Sequence, residues 1–480
     1  MTGSDRRIGA RELVVFYVTS IVGAGILVVP GIAARRAGPA SLLAWLLLAL
    51  ASFPMALMFA EMSAQRPDCG GIAALLRAVL GVSAGDTASL LLVVAYVVIV
   101  PVMAISSARH VCDALALRAG LVTPLAVMFV LVSGAFCLTS VGTAARLQGL
   151  VLLTLLACLL VAVALALPSM SLARFNPFLP HGWAAVGATL PAVFWSFLGW
   201  ENVSTIAEEV RAPRRSFHGA IRVAVPLIGI VYLGVTVAYL ALPHTGNVLL
   251  MPTLLAGIGT SGRVLGDLFG LALIVPVTNA WMLGASRLAL SAAREGLLPA
   301  ALQRRSEGTG APMPALSAVV ITCVLMVGAL DVLALDESFA ISLSAAIFLA
   351  LYIAAALATL RERRTARMSI SAIATGVMAA CFIPFTGTAL PAAALAVAAA
   401  YATSRAARAK HVTTIMSTTM GKRQCSAVWR GVRIRREGEM AAREHDARAR
   451  PGRSRQAGRK RRHIAERGFL KKRAPPDLPQ

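Results

Sequence analysis

Residues 23–30 read Gly-Ala-Gly-Ile-Leu-Val-Val-Pro, placing Gly23, Gly25 and Pro30 inside an apolar run long enough to cross a bilayer. Glycine and proline both weaken helical backbone. In hydrocarbon, each N–H and C=O released from a helix must be met by protein, water or ligand. The stretch therefore predicts an interrupted membrane helix whose loosened backbone lines a binding site.

The rest of the chain supports a membrane setting. Hydrophobic residues make up 58% and charged residues only 14%, and the mean hydropathy is +0.74. Apolar runs close to the roughly 20 residues that span a bilayer recur along most of the chain. They predict an all-α integral membrane protein with about twelve transmembrane helices, near 13–34, 42–62, 87–106, 121–140, 150–167, 183–204, 221–242, 265–288, 316–335, 339–360, 370–385 and 388–403. The first run is too long for a cleavable signal peptide and has no small-residue cleavage site before the next span.

Residues 1–11 are thus expected to form a short arm, 12–404 the membrane domain and 405–480 a separate tail. An even number of spans puts both ends on one side. With the amino terminus inside, eighteen arginines up to residue 404 fall on the cytoplasmic side, and six (Arg35, Arg36, Arg109, Arg118, Arg174 and Arg263) fall outside. This asymmetry predicts an inner-membrane protein with both termini cytoplasmic.

The formal charge of +24 is concentrated at one end. From Arg405 onward there are 22 Lys and Arg against 6 Asp and Glu, and all five lysines of the chain lie there. The tail has no folding pattern and is expected to be disordered. Its basic residues also suit contact with anionic lipid; no specific nucleic-acid partner is expected. The seven cysteines show no C-x-x-C pairing and the seven histidines no metal-ligand spacing, so neither a metal nor a cofactor is expected.

The second informative segment is Phe194-Trp195-Ser196-Phe197-Leu198-Gly199-Trp200-Glu201-Asn202, within the sixth span. A carboxylate inside a bilayer costs at least ~2.5–3.5 kcal/mol on insertion scales, so Glu201 needs a partner, a proton or a function. Gly199 beside it permits a second break. Interruptions in the first and sixth spans mark two corresponding halves with a site between their broken helices.

These residues carry a resemblance. Gly23-Ala24-Gly25-Ile26 with Pro30 resembles the first-helix motif of the amino acid-polyamine-organocation transporter superfamily. Glu61 followed by Pro67-Asp68-Cys69-Gly70-Gly71 is similar to its second-helix ending. The segment from Phe194 to Glu201, with Glu209 and Ala212-Pro213-Arg214, resembles its sixth helix and adjoining loop. Ser286-Arg287-Leu288, Ala293-Arg294-Glu295-Gly296-Leu297-Leu298-Pro299 and Ala311-Pro312 fit the loop after its eighth helix. Within the superfamily the chain is most similar to bacterial exporters of methionine and branched-chain amino acids.

The resemblance implies the leucine-transporter fold, a 5+5 inverted repeat followed here by two more spans, with an amino acid substrate near mid-membrane. Carried onto this chain, backbone N–H groups from Ile21 through Gly23, Ala24 and Gly25 would receive the substrate carboxylate, helped by the positive end of a half-helix. Carbonyls of Trp195, Ser196 and Leu198 would receive the ammonium. Glycine at 23 and 25 would let the ligand approach the backbone, although two such glycines also permit tight helix crossing.

Trp195, Phe197 and Trp200 are candidate aromatic gates. Glu201 reads either as a proton carrier or as a structural carboxylate that accepts bonds from the unwound first helix. Glu61, Glu208 and Glu209 are expected to pair with Arg66, Arg211, Arg214 or Arg215 as closure contacts. Side-chain pocket candidates are Tyr96, Asn279, Trp281, Ser342, Ser344 and Tyr352.

Apart from Glu201 no acidic residue is central to an expected span, which argues for a neutral, apolar substrate such as methionine, leucine, isoleucine or valine. Sodium would need hydroxyls on the eighth helix, where the chain offers Thr278 and Ser286; a proton, or no coupled ion, is expected instead. The expected function is export by alternating access, with antiport or uptake of amino acids or polyamines as the alternative within the superfamily. Outside it stands a transporter-like sensor signalling through the basic tail. An enzyme would need paired aspartates or H-E-x-x-H, and an ATP-driven pump a G-x-x-x-x-G-K-[ST] loop; the sequence has neither.

Overall fold

Long apolar runs, with every backbone group bonded within its own segment, give helices and little else. The computed structural model describes residues 8–66, 71–138, 142–243, 248–305, 312–362 and 365–419. Among them the α-helices are α1 (Ala10–Ile21), α2 (Ala24–Ala37), α3 (Ser41–Gln65), α4 (Ile72–Leu80), α5 (Val82–Ala114), α6 (Val122–Phe136), α7 (Gly142–Ala166) and α8 (Gly182–Ser196). There follow α9 (Pro213–Leu240), α10 (Leu250–Leu255), α11 (Thr260–Arg294), α12 (Met313–Val332), α13 (Glu337–Glu362), α14 (Ala366–Phe382) and α15 (Ala389–Thr419). Nine helical segments among the described residues are long and apolar enough to cross a membrane.

The first and sixth spans are each broken, α1 from α2 and α8 from a 3-10 turn at Trp200–Thr205. Each break opens a set of five: α1/α2, α3, α5, α6 and α7, then α8 with its turn, α9, α11, α12 and α13. Corresponding members of the two sets pack on one another, α2 on α8, α3 on α9 and α5 on α11. This pairing is what an inverted repeat produces, and α14 and α15 follow the second set. Residues 1–407 form one compact unit; in the second, residues 408–480, the described residues 408–419 are helical. The rest of the expected tail lies outside the described residues.

Two spans run well past their expected bounds. α5 has 33 residues and α11 has 35, which at 1.5 Å per residue is about 50 Å each and longer than the ~30 Å hydrocarbon core. Their polar ends find partners, so the helices continue. Asp86 pairs with Arg77 of α4 at 2.9 Å, Arg109 pairs with Glu337 of α13, and His110 Nδ1 meets Asp267 Oδ1 at 2.8 Å. The early start of α11 places Asp267 inside that helix and buried. The apolar boundaries had set this buried carboxylate near a span end.

Candidate substrate site

The first break is two residues wide. The Val22 amide still donates to the Val18 carbonyl at 2.8 Å. Val22 (φ −77°, ψ 87°) and Gly23 (φ −131°, ψ −141°) then leave helical geometry before α2 resumes at Ala24. The Ile26 amide donates to the Gly23 carbonyl at 3.3 Å; the two amides before it have no acceptor within their own helix, and they bring the positive end of its dipole to the gap.

The two glycines differ in what surrounds them. A Cβ on Gly23 would meet only Val277 Cγ1 at 3.9 Å, whereas one on Gly25 would lie 2.9 Å from Ser196 Oγ and 3.1 Å from its Cα. Gly23 thus faces open space, as a ligand-approach position requires. At Gly25 the space is taken by Ser196, and glycine there lets α2 meet the end of α8.

The sixth break is longer and more heavily bonded. After Ser196 the amides of Phe197 and Leu198 turn back to the carbonyls of Phe194 (2.9 Å) and Trp195 (3.3 Å). Gly199 then adopts φ +130°, a conformation that L side chains avoid. A Cβ on it would also come within 2.7 Å of the Ser20 carbonyl oxygen. The two breaks therefore abut, Gly199 against Ser20 and Gly25 against Ser196.

Glu201 is buried, and its Oε2 accepts from the Gly199 amide at 3.1 Å and the Tyr352 hydroxyl at 2.6 Å. The carboxylate thus binds the unwound backbone of its own span and the tenth span, α13, rather than the first helix as expected. The reason is local: Gly199 at positive φ turns its N–H toward the side chain two residues on.

A residue the sequence did not single out joins the breaks. The hydroxyl of Tyr232, on α9, lies 3.0 Å from the Ile21 carbonyl and 2.8 Å from the Ser196 carbonyl, the last helical residues of α1 and α8. Its ring stacks on Trp45 (5.1 Å between centroids) and packs against Phe197 (5.0 Å). Ser196, expected to offer its carbonyl to the ammonium, thus already has a protein donor there, although a carbonyl keeps a second lone pair.

A cavity of about 200 Å³ lies at the junction, below the ~300–1,000 Å³ of drug-sized pockets and so of a size for a small solute. One wall is Val22, Gly23 and Gly25, and another is Trp195, Ser196 and Leu198. Tyr96 of α5, Leu155 of α7, and Leu273 and Trp281 of α11 add apolar surface, and Thr19, Ser20 and Asn202 add polar groups. No Asp, Glu, Lys or Arg is among the lining residues. The Trp195 indole N–H, buried at this wall, has no hydrogen-bond acceptor among the described residues.

The remaining candidates divide. Ala24 contributes the first helical residue of α2. Ile21 is not among the residues that line the cavity. Trp200 is fully buried against Tyr17, with centroids 5.4 Å apart, and does not line the cavity. Tyr96 and Trp281 reach the cavity and pack edge to face at 4.6 Å. Tyr352 goes to Glu201, Asn279 accepts from Cys137 Sγ at 3.0 Å, and Ser342 and Ser344 are buried in α13 away from the cavity.

A second cavity, of about 160 Å³, adjoins the first, and Tyr96 and Asn202 line both. Glu201 faces this second space, as do Arg77 and Glu295, which are paired at 2.5 Å. Of the expected closure contacts, Glu61 lies 3.6 Å from Arg214 but nearer to His218, at 3.0 Å, and Arg66 pairs with Glu362 at 2.5 Å. The loop after the sixth span is tied to the amino-terminal arm by backbone bonds, Ile8 N–H to Glu209 C=O (3.1 Å) and Arg211 N–H to Ile8 C=O (2.9 Å).

Residues 8–417 match the family described as amino acid permease. The chain is similar to the uncharacterized amino acid permease YecA of Bacillus subtilis (strain 168), at 28% identity over 393 residues, covering 80% of this chain and 92% of the relative. It is also similar to the L-methionine/branched-chain amino acid exporter YjeH of Escherichia coli (strain K12), at 26% identity, covering 75% and 86%. A third relative is the branched-chain amino acid permease BcaP of Bacillus subtilis (strain 168), at 24% identity, covering 62% and 69%.

Proposed function

The chain belongs to the amino acid permease family, and from that premise we propose that it exports neutral, apolar amino acids, methionine, leucine, isoleucine and valine, by alternating access. The observation that carries the reading is the cavity at the two breaks. The break at Gly23 and Gly25 forms part of its lining, and its walls combine aliphatic and aromatic side chains with Thr19, Ser20, Ser196 and Asn202 but hold no charged one. A second ammonium or a guanidinium would find no counter-ion there. Two of the relatives are named for branched-chain amino acids, which supports the substrate class; export rests on the likeness to YjeH.

In this reading Gly23, Ala24 and Gly25 receive the carboxylate and the carbonyls of Trp195, Ser196 and Leu198 the ammonium. Trp195 closes over the ligand, while Tyr96 and Asn202 part to join the two cavities. Glu201 carries the coupled proton, reached through the second cavity. Proton coupling is preferred over sodium because α11 offers mainly two hydroxyls, those of Thr278 and Ser286, for a sodium site beside the first break. The protein lies in the inner membrane with both termini cytoplasmic, the side that gathers the arginines, and the tail beyond Arg405 lies along anionic lipid.

Counterflow of radiolabelled leucine in proteoliposomes, competed by each of the twenty amino acids and by putrescine, tests the assignment. Methionine, leucine, isoleucine and valine should compete, and lysine, arginine and putrescine should not. The opposite pattern rejects the neutral-substrate reading. Repeating the assay with a pH gradient of either sign tests proton coupling and direction.

A further inference from the structure

The N-terminal ends of α9 and α14 form a basic recess on the outside of the bundle, away from the substrate cavity. Two adjoining hollows of about 500 and 460 Å³ open there. Arg215, His218 and Arg367 line both; Arg214 and Thr365 complete the first, and Arg222 and Ser216 belong to the second. Buried Glu61 engages Arg214 and His218 from below. Among the described residues, no carboxylate is within ion-pair distance of Arg215, Arg222 or Arg367, and all three are exposed.

The surroundings of these arginines identify their ligand. Arg222 is nine residues into α9, about 14 Å along a membrane-spanning helix, and it leads a stripe of exposed Val223, Leu227 and Ile230. On α14, Arg367 leads a matching stripe of exposed Ile370, Ile373 and Val377. A soluble anion would use the arginines and leave the stripes to unrelated lipid. The basic segment 405–480 has the wrong sign to fill the recess.

We propose that the recess holds the head group of an anionic glycerophospholipid. Its phosphate sits among the guanidinium groups of Arg215, Arg222 and Arg367, which suit paired hydrogen bonds to phosphate oxygens. Its acyl chains follow the stripes on α9 and α14. The bound lipid links α9, which carries Tyr232 to the two breaks, with α14, which packs on α3 and α13.

The test uses the full chain purified in detergent and native mass spectrometry. Phosphatidylglycerol and phosphatidylethanolamine with identical acyl chains are compared, with glycerophosphate and inorganic phosphate as soluble competitors. Phosphatidylglycerol should be retained about tenfold better than phosphatidylethanolamine. The R215Q/R222Q/R367Q variant should lower it to the phosphatidylethanolamine level, while R304Q/R305Q, at exposed arginines outside the recess, should leave it unchanged. If the triple variant does not fold, R222Q alone should still reduce retention about threefold. Equal retention of the two lipids, undiminished retention in the recess variants, or displacement by equimolar inorganic phosphate overturns the proposal.

Discussion

The first and sixth spans break in corresponding places, yet they satisfy their freed backbone in opposite ways. At the sixth, protein groups fill the need: the Gly199 amide goes to Glu201, the amides of Phe197 and Leu198 turn back on α8, and the Ser196 carbonyl faces Tyr232. At the first, the carbonyl side is met by Tyr232 and the Ile26 amide by the Gly23 carbonyl, while Gly23 and Gly25 line the cavity. A freed amide in a membrane must be paired by something. In the proposed reading, the difference separates a break that is chiefly scaffold from one left for the ligand's carboxylate.

The sharpest way to break that comparison is substitution at the glycines. Gly199→Ala forces a Cβ into positive φ, a strain of about 1–3 kcal/mol, and drives it against the Ser20 carbonyl. The variant should lose several degrees of melting temperature in detergent and all measurable counterflow. If it is as stable and active as the parent, the sixth break is not scaffold.

Next in size is Glu201→Ala, which strands the Gly199 amide and the Tyr352 hydroxyl in a buried setting. Each unmatched group costs about 1–3 kcal/mol, so the melting temperature should fall clearly. Glu201→Gln keeps an acceptor in place and removes the titratable proton. It should retain counterflow while losing the response to a pH gradient; an unchanged response assigns the proton elsewhere and leaves Glu201 with its structural bonds alone.

Gly23→Ala probes the other break. Its Cβ meets nothing nearer than 3.9 Å, so the fold should be intact. Leucine KM should nevertheless rise about tenfold, the equivalent of about 1.4 kcal/mol. An unaltered KM, or a loss of stability matching that of Gly199→Ala, erases the distinction between the two breaks.

Much of this contrast is legible in the sequence, for a physical reason. Backbone departures in a membrane helix need glycine or proline, so Gly23, Gly25, Pro30 and Gly199 announce the breaks by residue type alone. What residue type cannot show is which atoms meet across the fold. Gly25 serves Ser196 rather than open space, and Trp200 is turned by the 3-10 segment onto Tyr17 rather than over the ligand. Tyr232 and Asn202 lacked any motif of their own. Tyr232 is one tyrosine in an apolar span, and its importance arises only when α9 packs against α1 and α3.

Tyr232→Phe is the smallest and most discriminating change. It keeps the ring between Trp45 and Phe197 and removes only the O–H that faces the C-terminal carbonyls of α1 and α8. A single proton cannot bond both carbonyls well at once, so under the proposed alternating access it would pass between Ile21 and Ser196 as one half rocks against the other. Losing it should cost about 0.5–1.5 kcal/mol. Because Tyr232 is outside the cavity lining, the loss should appear in turnover, about threefold to tenfold, with KM nearly unchanged. A selective rise in KM would instead make Tyr232 part of the ligand site and move the boundary between scaffold and binding surface into α9.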